Sequence, residues 1–429
     1  MIFNYSKTRF DLLRFGIAMG LAAFAMTGCK DDEAPAIQVT SFSPASAFVG
    51  DTITITGNNF NTNIEKNVIA FGNRAAEIVS ISATEMKVIV PKEAFSSKIS
   101  LNMDGKATTT ATDFTLMKMY FAGYDNNASK YWISSPITTA STALSNGTIR
   151  DYSAAMSVSD GNVYIAGRQS YNGVLVAKYW KNGTAKNLSD SVYNTYATSV
   201  VASNGNVYVA GYGYEAGKSA LVAKYWKNDT TVVKLTNGDY HNYTTGIASV
   251  NGDVYVAGYG YEAGKDEYVA KYWKNGQQMN LTDGSMEART TGIFVVNGDV
   301  YVTGYVYNAS GNEIATFWKN GVEAPLSTVS SAATALAVVG SDVYVAGYEY
   351  KNSIPVATYW KNGTAQNLEH GTSGSYAKGI YVLNNHVYVL GHDYNAGDLG
   401  VVRYWKDGKA VDLTDGKTSA TVAYGIVAP

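Results

Sequence analysis

After the first three dozen residues the chain is built from short runs in which apolar and polar positions alternate. TITITGN, TTGIASV and DVYVAGY are examples, and a period of two marks a strand with one face buried. Asn, Gly, Asp and Pro break the runs at close intervals, so the pattern predicts an all-β protein with tight connections. The pattern also repeats. Asn251 to Gly276, NGDVYVAGYGYEAGKDEYVAKYWKNG, is nearly a copy of Asn204 to Asn228, NGNVYVAGYGYEAGKSALVAKYWKN. All seven tryptophans, Trp132, Trp180, Trp226, Trp273, Trp318, Trp360 and Trp405, take the same place in such a unit, at spacings of 48, 46, 47, 45, 42 and 45 residues.

A period in the mid-forties with one tryptophan per unit predicts the four-stranded blades of a propeller, seven of them, over residues 117–429. In each unit the first strand is like TTGIASV, the second like DVYVAGY and the third like YVAKYWK; the fourth is short and ends at a leucine such as Leu188, Leu235, Leu281 or Leu413. First and second strands are joined by Asn-Gly pairs such as Asn204-Gly205, Asn251-Gly252 and Asn297-Gly298, the residues a two-residue type I′ hairpin requires. Third and fourth strands meet at equally tight KNG turns, which leaves long loops between second and third strands and between units. Both sets of long loops emerge at one end of the strands, and that end is where binding is expected. The repeats open on a second strand, MYFAGY (Met119 to Tyr124), and finish on a first strand, VAYGIVA (Val422 to Ala428). The C-terminal strand is therefore expected to complete the first blade and close the ring, hiding the sheet edges. The first strands, rich in Ala, Thr, Ser and Gly, are expected nearest the axis. The repeat lacks the Gly-His and Trp-Asp pairs of WD40 units and the paired glycines of kelch units, and it resembles the uncharacterised propeller repeats of bacterial surface lipoproteins.

Residues 36–116 carry six or seven short strand patterns, as expected of a small sandwich. SFSPASAFVGDTITITGNNF (Ser41 to Phe60), VIAFGNRAAEIVSIS and MKVIVP resemble the IPT/TIG immunoglobulin-like family. The resemblance implies a spacer or binding module without catalytic residues.

Lys7, Arg9 and Arg14 precede an apolar stretch, Phe15 to Gly28, that is too short to span a bilayer and reads as an export signal over residues 1–28. Cys29 is the only cysteine, so no intramolecular disulfide forms. MTGC (Met26 to Cys29) resembles a bacterial lipobox, and KDDE (Lys30 to Glu33) is similar to the surface-export signal of lipoproteins from Bacteroidetes-type bacteria. These resemblances imply lipidation at Cys29, a tether over residues 29–35, and a place on the outer membrane facing outward. The formal charge moves from −2 to −4 when residues 1–28 are removed, which gives no footprint for nucleic acid. A monomer is expected.

No cofactor or metal site is expected: HExxH, CxxC and paired-histidine spacings are absent, and GYGYEAGKS (Gly211 to Ser219) has the wrong glycine spacing for a phosphate loop. The repeated tryptophans are expected to pack the blades, as are Tyr208, Tyr255, Tyr301, Tyr344 and Tyr388 inside the second strands. Tyr212, Tyr214, Tyr259, Tyr261, Tyr305, Tyr307, Tyr348, Tyr350 and Tyr394 lie where the second strands enter the long loops. They form either a stacking platform or aromatic caps between blades. Arg168 and His392 replace one of those tyrosines, and His241, Arg289 and His370 are expected on loops between units at the same end. Glu215, Glu262, Glu287 and Asp393 join them as ligand contacts or, more simply, solvated loop charges. The residues point to a surface binding protein for a glycan or a protein partner. A propeller-type polysaccharide lyase or glycoside hydrolase and a structural assembly component are the other readings.

Overall fold

The computed structural model describes residues 36–125, 128–135, 138–144, 151–368, 373–394, 400–413 and 422–427. The export signal, Cys29 and the tether lie outside the described residues. All the elements below belong to one unit, Ile37–Pro429. No helix among the described residues is long and apolar enough to cross a membrane.

Residues 38–116 fold as two four-stranded antiparallel sheets with a short parallel pair, Ser46–Ala47 with Thr115–Leu116. Ile53, Ile55, Ile69, Phe71, Val88, Leu101 and Phe114 fill the space between the sheets. Each comes from an alternating run, so one face of every strand is apolar and the other is left to water.

From Met119 the chain forms seven four-stranded antiparallel sheets of the kind expected for propeller blades. In six of them the four strands follow one another in sequence and in space. The first sheet has the order Thr138–Ala143, Ala128–Ser135, Met119–Asp125, Val422–Val427, so the last strand of the chain pairs with the first strand of the repeat region. The innermost strands lie side by side from sheet to sheet: Thr195–Ser203 beside Asn242–Val250, that beside Ala288–Val296, and so on. Val422–Val427 lies beside both Ser375–Leu383 and Asp151–Ser159.

The turns have the geometry their residues require. Asn204 and Gly205 have φ of 50° and 73°, and Asn251 and Gly252 have 52° and 90°. The asparagine of the KNG turn has a second role: Asn275 Oδ1 accepts from Val254 N at 2.9 Å, tying the third strand's turn to the second strand. The loop-bearing end is less even than the repeat suggests. The second and third strands are joined through Asn172-Gly173 and Asn352-Ser353 in two sheets, whereas Tyr214–Leu221 and Tyr261–Tyr268 are true loops.

Six tryptophans are fully or almost fully buried at one register of the third strand, and Trp132 is half-buried. Tyr208, Tyr255, Tyr301, Tyr344 and Tyr388 are buried beside them. The glycine at this register is sterically required in six of the second strands: a Cβ on Gly258 would stand 2.7 Å from the Trp273 ring and against the Tyr243 carbonyl.

In four of the sheets the lysine after the tryptophan is an ion-pair partner as well as a solvated charge. Lys274, Lys319 and Lys361 reach Asp253, Asp299 and Asp342 at 3.1, 2.9 and 2.9 Å, over the rings of Tyr255, Tyr301 and Tyr344. In the seventh sheet His386 stands in place of that aspartate and holds Asp407 at 2.6 Å. Lys406 pairs instead with Asp51 of the sandwich, a residue only 5% exposed. Phe48 meets Tyr388 edge-on at 4.9 Å, Asn384 Nδ2 donates to the Ser46 carbonyl at 2.7 Å, and Met117, Met119, Phe121 and Leu390 complete an apolar contact. The sandwich thus docks on the tight-turn end of the seventh sheet, away from the loops.

Candidate functional site

At the loop-bearing end one register of six sheets pairs a residue of the innermost strand with one of the second strand. The pairs are Tyr152 with Arg168, Tyr196 with Tyr212, Tyr243 with Tyr259, Arg289 with Tyr305, Ala332 with Tyr348, and Tyr376 with His392. Because these positions share a face, the side chains stack across the strands. Ring centroids are 4.9 Å apart in Tyr196–Tyr212, 5.0 Å in Tyr243–Tyr259 and 5.3 Å in Tyr376–His392, with planes within 27° of parallel. The stack also passes between sheets: Tyr212 meets Tyr243 edge-on at 5.1 Å, Tyr348 meets Tyr376 at 4.9 Å, and the Arg168 guanidinium lies between the rings of Tyr152 and Tyr196 at 4.7 and 5.1 Å.

Arg289 belongs to the innermost strand Ala288–Val296 and not, as its sequence context suggests, to a loop. It bonds Glu287 at 2.5 and 2.7 Å and stands 5.5 and 5.1 Å from the rings of Tyr259 and Tyr268. With Tyr212, Tyr243, Tyr259, Tyr305 and five threonines it lines a basin of about 390 Å³. Thr198, Thr245 and Thr291 are shared with a second cavity of about 260 Å³, lined by the first strands of six sheets. Burial first, and the neighbouring phenols of Tyr259 and Tyr196 after it, push the Tyr212 hydroxyl up to about 12 against the pull of Arg168, so this phenol stays neutral beside the Arg289 charge.

The remaining candidates form an outer tier. Tyr214 is exposed beside His241, whose Nδ1 accepts from Leu221 N at 3.1 Å, so His241 braces a loop. Tyr261 packs on Tyr268 at 4.3 Å, and Tyr307 donates to Glu313 at 2.8 Å. Tyr350 and Tyr394 lie 5.8 and 6.3 Å from Tyr348 and Tyr376, inner-register rings. His370 lies outside the described residues.

The carboxylates are fastened rather than merely solvated. Glu215 bonds Lys224 and Lys234 at 2.5 and 2.6 Å; burial raises its carboxyl pKa, but the two ammonium groups outweigh it and hold it below the usual range. Glu262 does the same over Lys271, only 1% exposed, at 2.7 Å. Asp393 holds Arg403 at 2.9 Å. Each seals a cation of the third strand inside the sheet edge. No group of three or more metal-binding side chains occurs among the described residues.

Lys378, absent from the sequence-derived set, lines that second cavity. Its signal was available: YAKGIYV places lysine where YTTGIAS, RTTGIFV and AATALAV place threonine.

Residues 38–116 match the family model described as the IPT/TIG domain. No curated protein matches the chain. Among solved structures, an auxiliary nutrient binding protein from Bacteroides ovatus aligns with 12% identity and a TM-score of 0.35, covering 92% of this chain and 98% of its own. One of the same description from Bacteroides thetaiotaomicron aligns at 11% and 0.31, with the same coverage. The β-propeller domain of the Trilobed protease from Pyrococcus furiosus aligns at 11% and 0.40, covering 78% of this chain and 98% of that one. What is established is an IPT/TIG domain followed by propeller-like four-stranded sheets.

Proposed function

We propose that this is a non-catalytic binding protein of the bacterial surface, held to the outer membrane by a lipid on Cys29, whose loop-bearing end captures a glycan. The observation that carries the reading is the basin of about 390 Å³ walled by half-buried tyrosines, threonine hydroxyls and Arg289. Flat rings with nearby hydroxyls suit a sugar, which offers an apolar ring face and a rim of polar groups. Glycoside cleavage by the usual route needs two free carboxyl groups across the scissile bond. Here Glu215, Glu262, Glu287 and Asp393 are each tied to a cation, which favours binding over hydrolysis. The same reading takes the seven sheets as the blades of a ring closed by Val422–Val427. It takes the docked sandwich as a spacer that turns the basin away from the membrane.

Affinity electrophoresis of the protein through gels cast with a polysaccharide panel tests this, with chain shortening measured on the same panel. Retardation without shortening is expected, and joint replacement of Tyr212, Tyr259 and Tyr305 by Leu is expected to abolish it. Shortening of any polymer, or undiminished retardation of the triple variant, contradicts the reading.

A further inference from the structure

In six sheets the innermost strand carries one bulged residue at a common register: Ala154, Thr198, Thr245, Thr291, Thr334 and Lys378. The threonines fasten neighbouring sheets. Thr198 and Thr245 bond the hydroxyls of Thr244 and Thr290 at 2.8 and 2.7 Å, and Thr291 and Thr334 donate to the carbonyls of Ala333 and Ala377 at 2.9 Å. Lys378 replaces the fastener with a charge. Half-buried, it lines the second cavity with its Nζ 5.4 and 5.9 Å from the ring centres of Tyr376 and Tyr348. No carboxylate among the described residues forms an ion pair with it, and burial pulls its ammonium below the usual lysine range. A partly desolvated cation is costly unless an anion meets it; two aromatic faces offset that only in part. Beside it His392 is 4% exposed, and its Nδ1 has no hydrogen-bond partner among the described residues.

We infer that the mouth of the axis is an anion subsite, in which Lys378 takes the carboxylate of a uronic acid and the rings of Tyr348 and Tyr376 flank the sugar. The ligand is accordingly an acidic polysaccharide, a conclusion that rests on the glycan-binding reading above. Repetition gives the position its weight: a site on a pseudo-symmetric ring has to be made by departures from the repeat, and Lys378 and His392 depart from it in the same sheet.

The test uses galacturonan, alginate and hyaluronan, each beside its carboxyl-reduced form, with the intact protein and three variants. At least one acidic polymer is expected to bind, and its reduced form to bind about tenfold or more weakly, the loss of one charge-assisted contact. Lys378→Met loses the same factor and Lys378→Arg recovers most of it. Lys378→Thr, which installs the fastener of the neighbouring sheets, folds at least as stably and also loses the preference for the acid. Histidine NMR supplies an independent readout: an anion at Lys378 offsets the charge that depresses His392, so its titration moves upward on adding the acidic oligosaccharide. Equal binding of acidic and reduced polymers, or undiminished binding by Lys378→Thr, overturns the anion subsite and leaves the glycan-binding reading standing. No retardation by any of these polymers or by neutral ones overturns both.

Discussion

Trp273 and Gly258 illustrate how one residue needs another. The indole is fully buried between sheets, and the second strand passes over it so closely that only glycine fits. Trp273→Ala is expected to cost about 3–5 kcal/mol and Gly258→Ala about 1–3 kcal/mol from overpacking, both measurable by denaturant unfolding. His392 gives a pH signature. Burial, with the Lys378 charge added, lowers its pKa from 6.5 to about 4. Between those values the unfolded chain binds the proton that the folded one refuses. The contribution is therefore complete above about pH 6.5 and is lost as pH falls toward 4, by up to about 3 kcal/mol. His392→Phe is expected to flatten that part of the stability profile; an unchanged slope contradicts the assignment. The tryptophans and the tyrosines inside the second strands were legible because repetition itself identifies them as packing groups. Lys224 and Lys271 were not: within AKYWK an alternating pattern gives no reason to bury a lysine, and the carboxylate that permits it arrives from a loop nine residues earlier.

Among the elements, turns were read most securely, because Asn-Gly and KNG have a local geometric requirement that packing does not change. The bulge at the head of each innermost strand has no such local signature. It appears only when the first and second strands are set in register, and in six sheets it brings one extra residue to the cavity those strands line. The docking of the sandwich is also an element-scale feature, built by His386 taking Asp407 so that Lys406 is free for Asp51. Joint replacement of Phe48 and Lys406 by Ala is expected to loosen the junction while each part stays folded. Small-angle scattering would then show a broader distribution of shapes, with polysaccharide retardation unchanged; an unaltered scattering profile contradicts a junction held by these contacts.

For the molecule as a whole, the contacts put the sandwich at the tight-turn end of the seventh sheet and the basin at the loop-bearing end. The sequence alone determined the all-β class, a sandwich placed at 36–116, the sevenfold count and the residues that pack each unit. All of these follow from local periodicity and a repeated spacing, which survive without knowledge of neighbours. Only the tertiary structure decided which end-of-strand tyrosines wall a basin and which pack outside it. It alone showed that the acidic residues seal buried cations, and where the sandwich docks. Those outcomes depend on side chains from different sheets meeting at one register, a distance in space that no spacing along the chain encodes.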